Sequence, residues 1–209
     1  MFEVRQHVLG PLQTNAYLVL DHELKQAVLI DAADDDPALK LQKDWELTAI
    51  LQTHAHFDHI GGLAELASLY RAPVYMHASE VGWLDDPWQN GSAWAGVPQL
   101  MVRLPHPEHS LQGGERLTFL EREWHVLHTP GHSPGGLTFW LPDERMAFVG
   151  DALFAGSIGR TDLPGGSHEL LLSSIREKLF VLPEITAVYP GHGPSTTIGK
   201  EKRDNPFFR

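Results

Sequence analysis

Thr53-His54-Ala55-His56-Phe57-Asp58-His59 places four potential metal ligands within six residues. Neutral imidazole and carboxylate are the donors that a catalytic zinc-type ion takes. His54 and His56 lie two apart, so they share a side only where the chain is extended. Residues 47–53 form an apolar run that reads as a strand feeding the motif. Beyond it, Ile60, Leu63, Ala64, Ala67 and Tyr70 have helical spacing, predicting a helix over 60–70 with Asp58 and His59 at its mouth. The stretch crosses from a strand end into a helix start, which points to an α/β chain with its ligands at a junction. A polar turn with chance histidines is the bland reading, and the density of donors in this context weighs against it.

The same arrangement recurs three more times. Val126-Leu127 runs into Pro130-Gly131-His132, Ala147-Phe148-Val149 into Gly150-Asp151, and Ala187-Val188-Tyr189 into Pro190-Gly191-His192. Ligands in layered α/β proteins gather beyond strand ends. His132, His192 or Asp151 taken singly would read as a turn residue or a cap. Together with His54, His56, Asp58 and His59 they make seven donors, too many for one tetrahedral ion and suited to two. The paired Pro-Gly-His turns suggest two similar halves around one site.

The remaining chain predicts strands at 2–9, 15–20, 26–31 and 73–77, then at 116–120, 123–128, 136–141, 146–150 and 185–189. Pro37 opens a short helix over 38–43, and Ser167 caps a helix over 169–180. Residues 85–114, rich in Pro, Gly and Trp, read as a long surface loop near the site, and 196–209 as a short helix with a loose end.

Sixteen basic and 27 acidic residues give a formal net charge of −11, which argues against a nucleic-acid surface. With no cysteine there is no disulfide, thiolate ligand or thiol nucleophile. No stretch nears the length of a membrane span, and the start lacks the apolar run of a signal peptide. The expectation is one cytoplasmic domain over residues 1–209 with neither nucleic-acid nor membrane partners.

In order along the chain, His-x-His-x-Asp-His, His132, Asp151 and His192 resemble the metallo-β-lactamase fold superfamily, through Pro190-Gly191-His192-Gly193. The resemblance implies an αββα sandwich of four layers with metals at one edge. It implies that His54, His56 and His132 hold one ion, that Asp58, His59 and His192 hold another, and that Asp151 bridges them. The stretch Phe154 to Gly166, the stretch Gly191 to Gly199, and Asn205-Pro206-Phe207 are similar to short bacterial glyoxalase II-like hydrolases. The implied activity is hydrolysis of a small-molecule thioester such as S-D-lactoylglutathione. Larger glyoxalase II enzymes add a C-terminal helical domain that holds glutathione, and that domain is not expected here. Two divalent ions are implied, zinc first, with iron and manganese also suiting these donors. A bridging hydroxide would attack the carbonyl carbon, with Asp58 as the catalytic residue that orients it while also serving as a ligand.

The main rival is an oxidoreductase resembling persulfide dioxygenases, with one iron on His54, His132 and Asp151. A lactonase would use nearly the same ligands. A β-lactamase is disfavoured, since one class needs cysteine and another lacks the bridging aspartate. Arg160 and Asp162 read as an ion pair or loop brace, with Arg160 the candidate contact for an anionic substrate. Lys200, Lys202 and Arg203 read mainly as a solvated helix face, with a smaller prospect of meeting substrate carboxylates. Trp83, Trp88 and Trp94 read as loop anchors, and His106 with His109 as a candidate lid.

Overall fold

The computed structural model of the protein describes residues 2–104 and 109–209. One six-stranded sheet contains, in spatial order, β1 (Phe2–Leu9), β2 (Thr14–Asp21), β3 (Gln26–Ile30), β4 (Glu46–Leu51), β5 (Val74–His77) and β6 (His109–Leu111). Its first three strands are antiparallel, and β3 to β6 run parallel. The second sheet is built from β7 (Arg116–Phe119), β8 (Arg122–His128), β9 (Leu137–Leu141), β10 (Met146–Gly150), β13 (Ala187–Pro190) and β14 (Thr196–Thr197). A separate hairpin, β11 (Leu153–Phe154) with β12 (Ser157–Ile158), follows β10.

Side-chain alternation sorts the core into three sheets of contact, because successive strand residues face opposite ways. On β2, Leu18 and Leu20 face one apolar cluster while Tyr17 and Val19 face another; on β3 the same holds for Leu29 against Val28 and Ile30. The inner cluster joins these to Trp124, Phe139 and Phe148 of the second sheet. Outside the first sheet packs α1 (Leu63–Tyr70) through Leu63 and Leu66. Outside the second pack α2 (His168–Ser174) and α3 (Ile198–Asp204) through Leu171 and Ile198. Strands buried on both faces are nearly continuous runs of Val, Leu and Ile, which is why they stand out in the sequence. The result is the expected order of layers: helices, sheet, sheet, helices.

Several predicted elements change at their ends. The helix expected over 38–43 is a 3-10 turn, Pro37–Leu39, after which Lys40 is extended. Six residues cannot sustain a helix alone, and here Leu41 donates its N–H to the Tyr70 hydroxyl instead. The helix expected from Ile60 begins at Leu63, because residues 57–62 are turns and Gly62 donates its N–H to the Ala32 carbonyl. The helix after Ser167 continues past Ser174 as one π turn, Ile175–Leu179, keeping Ile175 and Leu179 both in the core.

The long loop also hides a strand. β6 has three residues, too few for any periodicity, yet it pairs parallel with β5. His109 belongs to it and stacks on Tyr75 with ring centroids 4.3 Å apart, whereas His106 lies outside the described residues. The C-terminal end is tied down: Asn205 donates to the Ser157 carbonyl, and Phe208 packs on Phe180. Both Pro-Gly-His turns follow strands of the second sheet, β8 and β13, so they do not mark two halves. Among the described residues no helix is long and apolar enough to cross a membrane.

β8, β10 and β13 share one direction, since β8 and β10 are each antiparallel to β9 and β13 is parallel to β10. Their C-terminal ends therefore open on one edge, which is where the metal-type donors collect.

Candidate metal centre

The seven donors expected from the sequence meet at this edge. Three groups place their nitrogen and oxygen atoms within 4.8 Å of one another: His54, His56 and His132; His54, His59 and Asp151; and Asp58, His59 and His192. Their spacing is informative. His192 Nε2 lies 3.2 Å from Asp58 Oδ2, and His59 Nε2 lies 3.5 Å from both Asp58 Oδ2 and Asp151 Oδ1. Asp151 Oδ2 is 3.5 Å from His132 Nε2 and 3.5 Å from His192 Nε2, so this carboxylate faces both sets. A distance of 3.5 Å is long for a hydrogen bond. Two donors about 2.0–2.1 Å from one tetrahedral ion would stand roughly 3.3 Å apart.

Unsatisfied atoms point the same way. His54 Nε2, His59 Nε2 and Asp151 Oδ1 are buried and have no hydrogen-bond partner. Buried polar atoms rarely stay unpaired. The opposite edges of the rings are held: His59 Nδ1 contacts Asp31 Oδ2 at 2.8 Å, His132 Nδ1 the Arg160 carbonyl at 2.8 Å, and His192 Nδ1 the Leu12 carbonyl at 3.2 Å. An imidazole whose Nδ1–H is donated to oxygen presents a lone pair at Nε2, as a metal ligand must. His56 turns Nδ1 to within 2.9 Å of His132 Nε2. The cluster is suited to a dinuclear metal site.

Glycine is required where the two Pro-Gly-His turns come close to their neighbours. Gly131 has φ +127°, a conformation other residues rarely adopt, and a Cβ there would run into the Leu171 backbone. A Cβ on Gly191 would run into Asp151 Oδ1 and stand 2.7 Å from His59 Cε1.

Electrostatics divide the donors into two kinds. Burial lowers the pKa of His54, His56 and His132, and neighbouring imidazoles lower the first two further, His56 to about 3. Burial thus favours the neutral form of these rings. Burial also works against a proton on His192, yet Asp151 and Asp58 outweigh it and push the pKa up to about 10. His59 is lifted to about 9, burial being overcome by Asp58, Asp151 and Asp31. Asp151 falls to about 2 despite its burial, chiefly through His59 and His192. Asp58 is likewise held well below the carboxylate range against its own burial by His59, His192 and Thr14.

A stability profile follows for chelator-treated protein. His59 and His192, raised from 6.5, contribute stability that is complete below pH 6.5 and lost as pH climbs through about 9 and about 10. Asp151, depressed from 3.8, contributes stability present above that value and lost as pH falls toward about 2. The melting temperature of the chelated protein should peak between these limits and fall by several degrees toward pH 10, at about 2–4 °C per kcal/mol for this size. Scanning calorimetry checks it. With zinc restored the alkaline fall should vanish, because metal and protons compete for the same atoms. A melting temperature that climbs from pH 6.5 to 10 in the chelated protein contradicts the assignment.

Four supporting residues carry no sequence signal. Asp31 is buried with φ +55°, and besides His59 it accepts from Thr53 N and Thr53 Oγ1, both at 2.7 Å. Glu80, fully buried, accepts from Ala55 N at 2.7 Å and Gly135 N at 2.6 Å, joining the loop of His54 and His56 to that of His132. Thr14 Oγ1 donates to Asp58 Oδ2 at 2.8 Å, and Asn15 Nδ2 donates to the Pro190 and Gly193 carbonyls on either side of His192. The nearest clue was an acid directly after an apolar strand at Asp31, the position Asp151 also occupies.

A cleft of about 780 Å³ opens over the cluster, with His56, Asp58, His132, Asp151 and His192 on its floor. Leu12, Phe57, Trp94, Val97, Phe154 and Ile158 form its apolar walls. Trp94 braces its own loop, its Nε1 donating to the Trp88 carbonyl at 3.2 Å, and also walls the cleft, while Trp88 is exposed and Trp83 buried. Arg160 is at the rim, forked to Asp162 through Nε and Nη2, both at 2.7 Å. Lys202 bonds the Phe180 carbonyl and Arg203 faces Glu184, so neither meets the cleft.

Known proteins are similar to this chain over nearly its whole length. The probable metallo-hydrolase YqgX of Bacillus subtilis is 41% identical over 207 residues, covering 98% of this chain and 96% of its own. The hydroxyacylglutathione hydrolase GloC of Haemophilus influenzae is 37% identical over 199 residues, covering 94% and 93%. A crystal structure described as BLEG-1 B3 metallo-beta-lactamase superposes with a TM-score of 0.93 at 45% identity, over 99% of both chains. TTHA1623 in a di-iron-bound form superposes with a TM-score of 0.84 at 43% identity, over 98% of this chain and 100% of that one. The model of the metallo-beta-lactamase superfamily matches residues 9–192, a span that runs from the end of β1 to the last donor, His192. With the layers, the strand-end donors and this match in agreement, the chain belongs to the metallo-beta-lactamase superfamily.

Proposed function

We propose that the protein is a metal-dependent hydrolase of thioesters, with S-D-lactoylglutathione as the reference substrate. The observation that carries the reading is Asp151, a largely enclosed carboxylate facing His132 on one side and His192 on the other at 3.5 Å. His54, His56 and His132 would hold one ion; Asp58, His59 and His192 would hold the second; Asp151 would touch both. When bound, two such cations supply Lewis acidity toward a carbonyl oxygen and make hydroxide available near neutral pH.

The chain's own residues do the rest. Asp58 remains ionised and is aimed by Thr14, so it can accept a hydrogen bond from the attacking water and orient it. Asp31 holds His59 in one tautomer through its contact with Nδ1. Leu12, Phe57 and Trp94 give the cleft above the donors an apolar surface against which a substrate can pack. A thiolate leaves readily, since thiols have a pKa near about 8.5, and no strong general acid is required. The thioester choice is supported by the GloC relative and by the Phe154 to Gly166 stretch.

The deciding experiment joins elemental analysis to three assays on the purified protein: thiol release from S-D-lactoylglutathione, oxygen uptake with glutathione persulfide, and hydrolysis of a chromogenic cephalosporin. About two metal ions per chain with thiol release is expected. One iron with oxygen uptake instead would establish the oxidoreductase alternative. The cephalosporin represents a second reading, favoured by the 45% identity to BLEG-1. Its rapid hydrolysis without thiol release would replace the thioester assignment.

A further inference from the structure

We propose that the cleft selects thioesters whose thiol half is uncharged and apolar, in preference to the dicarboxylate glutathione. The inference rests on the thioesterase reading and names its substrate class. Hydrolysis adds the water oxygen to the carbonyl carbon and breaks the C–S bond. The acid and the thiol leave, the thiol sulfur carrying one proton of the water, and no oxidant or reductant is consumed.

The apolar surface of the cleft walls comes from five separate segments: Leu12 from the β1–β2 loop, Phe57 from the loop after β4, Trp94 and Val97 from the 86–104 loop, Phe154 and Ile158 from the β11–β12 hairpin, and Leu163 from the loop after it. Among the described lining residues the polar wall groups are Asn90, Ser157 and Arg160. Asn90 is fully committed: its Nδ2 donates to the Trp83 and Leu100 carbonyls and its Oδ1 accepts from Ser92 N. Ser157 Oγ faces the carbonyl of its own neighbour Ile158.

Arg160 is the one Lys or Arg among the described lining residues, and Asp162 grips it with both carboxylate oxygens. An anionic headgroup arriving at this rim meets a neutral pair inside a molecule of formal charge −11. The pair is exposed, so its own stability is small. What it removes is the uncompensated cation that recognition of a carboxylate needs. An aromatic or branched aliphatic thiol, by contrast, would bury apolar area against Trp94 and Phe154.

The test compares kcat/KM for S-D-lactoylglutathione and for the D-lactoyl thioester of benzyl mercaptan on the metal-loaded wild-type protein and on Asp162→Asn. The wild type should favour the benzyl thioester by at least about tenfold. Asp162→Asn unmasks Arg160 and should move the ratio of the two values toward the glutathione ester by at least about threefold, less at high salt. Trp94→Ala should lower kcat/KM for the benzyl ester mainly through KM. Wild-type preference for the glutathione ester, or a ratio unmoved by Asp162→Asn, overturns the inference and leaves the thioesterase reading standing. Thiol release from neither ester overturns the thioesterase reading, and this inference with it.

Discussion

Asp151→Ala is expected to lower kcat/KM for thioester hydrolysis by at least about a thousandfold. Asp151 follows β10, and its two oxygens together face His59, His132 and His192 at 3.5 Å. No other described acid faces donors of both sets. Its removal takes one negative charge from the middle of the cluster and leaves His132 without a facing acid, while His59 and His192 keep only Asp58 on that side. Two cations brought close together repel, and a shared anion is what offsets that repulsion. Metal content should drop with activity, which elemental analysis of the variant would show. Asp151→Asn keeps the shape and loses the charge, so it should fall nearly as far. A variant retaining more than a tenth of wild-type activity at full metal content would falsify the bridging role.

Asp31→Asn should weaken metal binding by about 10- to 100-fold although Asp31 is assigned no metal. The substitution is nearly isosteric, and asparagine tolerates the φ of +55° found there. The defect is chemical. One carboxylate oxygen accepts from Thr53 N, and the other faces both Thr53 Oγ1 and His59 Nδ1 at 2.7 and 2.8 Å. An amide that keeps the first contact must turn its NH2 toward His59 Nδ1. That ring then accepts at Nδ1 and carries its proton at Nε2, the atom that must be bare to ligate. Competition with a chromogenic chelator measures the loss. A melting curve close to wild type in the chelated proteins would separate this tautomer effect from unfolding. Unchanged zinc affinity in a folded Asp31→Asn protein would sink the argument.

Legibility in the sequence followed the range of the signal. The strands were readable because β2, β3, β4 and β10 are buried on both faces, and two-sided burial writes continuous apolar runs. β6 was missed because three residues held by a parallel neighbour need no pattern of their own. The 38–43 segment was misjudged because local helical preference lost to the Tyr70 hydroxyl and the buried Leu39. The second role of Trp94, as a cleft wall, was not legible because an indole reads the same in a sequence whether it only braces a loop or also lines a cleft.

Within the site, the seven donors were legible because each is an unusual residue at a strand end, in a recurring setting. Asp31 and Glu80 were not, since their importance lies in whose N–H groups they accept. Both reach partners that are distant in the chain, His59 for one and Gly135 for the other.

By itself, then, the amino-acid order marked most of the strands and the donors, because alternation, turn chemistry and imidazole spacing are properties of neighbours along the chain; the four-layer architecture came from the resemblance to the metallo-β-lactamase superfamily. Only the tertiary structure supplied the atoms and distances: Asp151 at 3.5 Å from His132 and from His192, Asp31 at 2.8 Å from His59 Nδ1, and both oxygens of Asp162 on Arg160 at the cleft rim. Those are matters of distance and direction between atoms that folding brings together, and at a few ångströms a carboxylate or an imidazole keeps or loses its proton according to what stands opposite.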